Sequence, residues 1–326
     1  MTKLVKFSIF FLFAACLPLA AQRYTISPVN AEQVLKEENV HKTVDFLTSP
    51  STGGRAMGTD GSRKVASWLS EQFYSMGLAP VSGAWLHGFS AAGMFGRNVM
   101  GLIPGSSGRY VILMAHFDNI GSLGDSFYPG ADSNASGVAA LLEVARMMMQ
   151  MKACKRTYNN SLLVVALDGK EKDLAGAGEL WRRIHGGKLL DPSTGQAIFP
   201  EDISLVVNLD QMGATLSPIT KKQPDYLIML SEESTGRRST LESVNKVQKI
   251  GLELGFDYYG SKDFTRLFYE NVSDQRVFLE NGIPAVMFTS GITMNNNKPY
   301  DDAASLDYKV LLKRIRLVFY YLDKVL

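Results

Sequence analysis

His116, Asp118, Lys170, Glu171 and Asp210 carry the side chains most suited to chemistry in this chain, and each directly follows a short apolar run. A further polar stretch, residues 291–302, follows the run AVMFT at 285–289. Imidazole and carboxylate are the donors a divalent metal takes, and the same groups carry protons. Lys170 places an ammonium among them. Ordinary loop polarity explains one or two such residues; it explains four coincident run ends poorly. The remaining histidines, His41, His87 and His185, fall outside these stretches. Cys154 has no nearby His and reads as a packed or exposed thiol.

The elements that must position these groups are legible from apolar patterning. Runs at 110–115, 161–167, 204–209, 225–230 and 285–289 have strand length and β-branched content without polar alternation, as strands covered on both faces do. Helical periodicity marks 30–48, 61–77, 137–150, 174–185 and 239–254, with Val65, Trp68, Leu69 and Phe73 on one face and Gly77 as a stop. Strand–helix alternation predicts an α/β fold: one domain, with an open, twisted, predominantly parallel sheet and helices on both faces. Such sheets hold their sites at the carboxyl ends of the strands, where the polar residues above fall.

Lys3 and Lys6, the apolar run from Phe7 to Leu19 and the small pair Ala20-Ala21 read as an export signal over residues 1–21, leaving 22–326 as the mature domain in a periplasmic or extracellular space. Cys16 offers the less favoured alternative of a lipoprotein. No later stretch reaches the roughly 18 apolar residues of a membrane helix. A net charge of +2 gives no reason to invoke nucleic acid, and nothing in the pattern fixes an oligomeric state.

From about residue 45 onward the chain resembles the M28 family of zinc aminopeptidases. AHFD at 115–118 followed by GADSNASGVAALLEVAR at 130–146 is the most specific stretch. The Gly54-Arg55 turn, NVMGLIPG at 98–105, LDGKEKDLAG at 167–176, NLDQMG at 208–213, Ser273-Asp274, GIP at 282–284 and MNNNKPYDDAASLDY at 294–308 agree in order and spacing. The resemblance implies two zinc ions sharing one carboxylate, each with a His and a second carboxylate, and a Glu as general base for the bridging water. It carries His116 and Asp210 to one metal and Glu171 to the other. Asp118, Asp132, Asp274 and Asp301 take supporting positions around the ligands.

Three positions depart from that pattern. The bridging carboxylate falls on Ser133, the general base on Lys170 and the second imidazole on Asn297. A cation beside Glu171 opposes a metal and can satisfy the carboxylates itself; at about 4 Å and an effective dielectric near 20 such a pair is worth about 4 kcal/mol before desolvation. Zinc is therefore expected to be weak, single-site or absent. The sequence reading is an exported M28-like protein with impaired or lost catalysis, holding a peptide or small-molecule ligand at the strand ends. The alternative is a metal-dependent aminopeptidase with a rearranged, single-metal site.

Overall fold

The computed structural model describes residues 28–215, 224–232, 236–258 and 260–326; residues 1–21, read above as an export signal with Cys16, lie outside them. Eleven strands are assigned among these: β1 Ala79–Pro80, β2 Leu86–Ala91, β3 Met94–Ile103, β4 Tyr110–His116, β5 Gly121–Leu123, β6 Ser126–Tyr128, β7 Ser161–Leu167, β8 Ile203–Leu209, β9 Tyr226–Ser231, β10 Glu253–Gly255 and β11 Ala285–Thr289. The helices are α1 Glu37–Thr48, α2 Asp60–Met76, α3 Ser136–Ala153, α4 Ala175–His185, α5 Arg237–Val247, α6 Lys262–Asn271, α7 Gln275–Leu279 and α8 Tyr308–Val325.

Nine strands form one sheet in the order β1-β3-β7-β4-β8-β11-β9-β10, with β2 on β3. Its four middle strands, β7, β4, β8 and β11, are parallel. That brings the carboxyl ends carrying His116, Lys170, Asp210 and the 291–302 loop to one edge. The flanks depart from the parallel expectation, since β3 runs antiparallel to β7 and β9 antiparallel to β11. Direction is set by the connections: the β2–β3 hairpin returns within three residues, whereas parallel neighbours need a crossover.

Alternate residues of each central strand feed opposite layers. Val111, Leu113 and Ala115 pack with α1, α2, α3 and α8, while Ile112 and Met114 pack with Leu180, Ile184 and Phe278 of α4 and α7. The segments read as strands are strands within a residue. Gly77 ends α2 in the left-handed region (φ 80), where a side chain would be strained.

Two helical segments are shorter than the periodicity predicts. The segment 239–254 holds α5 only to Val247; left-handed Lys249 and Gly251 then break it, and β10 follows. Likewise 30–48 divides into a 3-10 turn, Pro28–Val34, and α1. The sequence reading assigns no element to β2, β3 or α8. Helix α8 is capped by the Asp307 carboxylate, which accepts from the Val310 amide at 3.1 Å. Its fully buried Arg314 donates to the carbonyls of Tyr226, Met212 and Ala214, tying the segment after Asp210 to β9.

Candidate active site

His116 ends β4 fully buried, with its Nε2 3.4 Å from Asp210 Oδ1 just past β8. The other Asp210 oxygen accepts from Ser273 Oγ at 2.6 Å. The ring's Nδ1 lies 3.1 Å from the backbone carbonyl of Asp118, closer than the 3.7 Å to that residue's carboxylate. The Asp118 carboxylate is instead engaged by the backbone amides of Lys170 and Glu171, at 3.0 and 3.1 Å. It therefore shapes the turn that presents both side chains. Lys170 Nζ lies 3.2 Å from Glu171 Oε1, in an ion pair mostly withdrawn from solvent.

The GADSNASG segment is built around Asn134. Its amide donates to the carbonyls of His116 and Leu209 and accepts from the backbone N–H groups of Gly137 and Gln211, so one side chain joins the ends of β4 and β8. A Cβ on Gly137 would collide with that amide, which is why glycine stands there. Asp301 accepts from the backbone amides of Asp132 and Ser133, and Asp132 accepts from Gly213, Ala214 and Ser136. These two carboxylates hold backbone. The buried Ser133 hydroxyl has no hydrogen-bond partner among the described residues. Asn297 is exposed on its loop and lines a cavity of about 340 Å³ together with Lys170, Glu171, Asp173, Asn271 and Arg276.

The electrostatics follow from burial and proximity. Burial alone would lower the His116 pKa, but Asp210 outweighs it and the imidazole is pushed up to about 10. Burial likewise opposes the charge on Lys170, yet Asp210, Glu171 and Asp274 together hold its ammonium protonated well above the usual range. Asp210 lies well below the normal carboxylate range despite burial, because Lys170 and His116 flank it. Asp274 is fully buried, neither of its oxygens has a partner among the described residues, and burial raises it to about 7.

A raised carboxyl binds its proton more tightly folded than unfolded, so Asp274 contributes stability below about pH 4 that is lost as pH rises through 7. Asp274→Asn, which mimics the protonated group, is expected to gain stability relative to the parent across that window and to hold a constant advantage above it. Denaturant titrations at pH 4, 6 and 8 read this; a difference that does not vary with pH would place the titration elsewhere.

These groups do not fit a two-zinc centre. Among the described residues no set of three or more His, Cys, Asp or Glu side chains is arranged to hold a metal ion. His116 and Asp210 stand close enough to share one, but the third donor of a catalytic zinc is missing and an ammonium sits against Glu171. Charged as it is, Lys170 cannot accept a proton from water.

Sequence reasoning missed the residues that brace the site. Arg55, fully buried, donates to the carbonyls of Phe117, Leu47, Pro129 and Gly130. Asn208 donates to Ser273 and Gln275, fixing the hydroxyl that holds Asp210. The motifs contain Arg55, Asn134 and Asn208, but residue type alone does not reveal a partner many residues away.

A mixed sheet with helices on both faces and an imidazole–carboxylate pair at its parallel strand ends defines an aminopeptidase-like α/β protein. Residues 98–322 match peptidase family M28, and the chain belongs to that family. It is 25% identical over 325 residues to the Escherichia coli (strain K12) protein YfbL, covering 94% of each chain. It is 24% identical over 301 residues to a probable leucine aminopeptidase of Arthroderma otae, covering 89% of this chain and 73% of that one. Among solved structures it is similar in fold to BSAP, a zinc aminopeptidase from Bacillus subtilis (TM-score 0.66, 14% identity, 89% and 95% of the two chains).

Proposed function

We propose that this chain is an exported M28 protein in which hydrolysis is impaired or lost, and whose cleft at the strand ends binds a peptide terminus or a small molecule. The observation that carries the reading is the ammonium of Lys170, 3.2 Å from Glu171 and held charged by Asp210 and Asp274 as well. It supplies internally the positive charge that a metal would bring to these carboxylates. With Ser133 and Asn297 it removes the shared ligand, the proton acceptor and the second imidazole together. The aminopeptidase relatives suggest the ligand class, and the basic start, apolar run and Ala20-Ala21 of the N-terminus support export.

The retained His116–Asp210 pair favours a second reading, a hydrolase working with one metal. Zinc stoichiometry by elemental analysis and turnover of aminoacyl-p-nitroanilides on the same zinc-supplemented sample separate the two. The proposal expects less than one equivalent of zinc and turnover far below the ordinary scale of about 10 per second. Ordinary turnover that a chelator abolishes would establish the second reading and sink the first.

A further inference from the structure

At the sheet edge opposite His116, the amino ends of β4 and β8 meet the start of α5, which follows the reversed strand β9. They border an open cavity of about 240 Å³ whose walls include Val111, Asn160, Ser204, Arg237, Thr240 and Tyr321. Its charge is one-sided: Arg237 is a cation, and none of the described residues lining the cavity is acidic. The cavity beside Lys170, by contrast, mixes Glu171 and Asp173 with its cations.

Two donors here lack acceptors. Tyr321 is fully buried and its hydroxyl has no partner among the described residues. Arg237 Nη1 is buried and equally without one. Both side chains line the same cavity. The other polar walls each already donate elsewhere. Ser204 Oγ donates to the Tyr110 carbonyl at 2.9 Å, Thr240 Oγ1 to Gly236 at 3.1 Å and Asn160 Nδ2 to Val325 at 3.2 Å. Helix α5 begins beside the cavity, with Arg237 and Thr240 of its first turn in the wall, from a left-handed Gly236 with no side-chain cap.

A withdrawn guanidinium and a phenol hydroxyl, both unsatisfied, cost free energy until an acceptor meets them. A cationic ligand would meet Arg237 as a like charge, and a neutral one would leave its charge unpaired. A small anion satisfies both donors and the helix end at once. Arg237 as a residue is only half-buried, so the site borders solvent although Nη1 itself is withdrawn. We propose that this cavity is a binding site for a tetrahedral oxyanion of the phosphate or sulfate class, held by the Arg237 guanidinium and the Tyr321 hydroxyl at the start of α5. The site is independent of whether the cleft around Lys170 hydrolyses anything.

Titration of the full chain with inorganic phosphate, at constant ionic strength against chloride, tests this by calorimetry and by phosphorus NMR linewidth. Saturable binding with a dissociation constant of about 1 mM or tighter is expected. Arg237→Gln is expected to weaken it at least about tenfold, and Tyr321→Phe severalfold, because each removes a charged or buried donor. Tyr321→Phe keeps the ring contact with Phe288, at 5.5 Å between centroids, so the fold is retained. Arg63→Gln, at an exposed arginine of α2, should leave the affinity unchanged. Absence of saturable binding, or equal affinity in the parent and both cavity variants, would overturn the site. An equal loss with Arg63→Gln would do the same, by showing attraction to bulk charge alone.

Discussion

Ser133→Asp, Lys170→Glu and Asn297→His made together are expected to raise zinc affinity by about three orders of magnitude over the parent chain. The largest single step is Lys170→Glu, which removes an ammonium 3.2 Å from Glu171 and puts a carboxylate in its place. That changes the local charge by two, and at a few ångströms with an effective dielectric near 20 each unit pair is worth about 4 kcal/mol before desolvation. Ser133→Asp converts a buried hydroxyl without a partner among the described residues, beside Asn134, into a carboxylate at the position where the family resemblance would place the shared ligand. Asn297→His adds an imidazole on the loop that already shares a cavity with Lys170 and Glu171. The three substitutions act on the same ions, so their effects are not additive, and each alone is expected to recover only part of the gain. Competition against a chromogenic chelator measures it. Equal affinity in parent and triple variant would show that the three positions do not face one site.

That test is possible because the candidate positions were legible where the fold is locally encoded. Doubly covered strands leave continuous apolar runs, so the ends of β4, β7, β8 and β11, and the polar residues following them, stood out. Strand direction leaves no local trace, and the antiparallel flanks were therefore missed. Helix α8 was legible but passed over: Lys309, Lys313 and Arg316 mark its polar side, and Val310, Leu311, Ile315 and 317–322 are buried.

The roles of the carboxylates were less legible than their positions. Asp118 and Asp301 sit within motifs that suggest support for metal ligands, yet in the fold they accept from backbone amides at 170–171 and 132–133. A carboxylate's partner depends on which loop the tertiary structure brings to it. Sequence spacing places the residue and leaves that partner open. The Lys170–Glu171 pair is the exception: the two residues adjoin in sequence, and a charge argument on their types anticipates the contact the structure contains.

Arg55→Met is expected to destabilise the protein by about 4 kcal/mol, the largest loss of stability among single substitutions near the site. The side chain is wholly buried, and its donors reach four backbone carbonyls on three separate segments: Leu47 at the end of α1, Phe117 next to His116, and Pro129 and Gly130 at the start of the GADSNASG turn. Methionine fills much of the volume but donates nothing, so those carbonyls lose a charged donor. At about 1 kcal/mol for each bond the sum reaches the stated figure, and the lost attraction to Asp118 and Asp301 adds to it. Arg55→Lys separates charge from geometry. It keeps the cation but cannot fork to acceptors on three segments, so it should recover less than half of the loss. Urea denaturation followed by circular dichroism measures both variants. A methionine variant within about 1 kcal/mol of the parent would mean that the loops around His116 hold their arrangement without Arg55, and that packing alone positions the site.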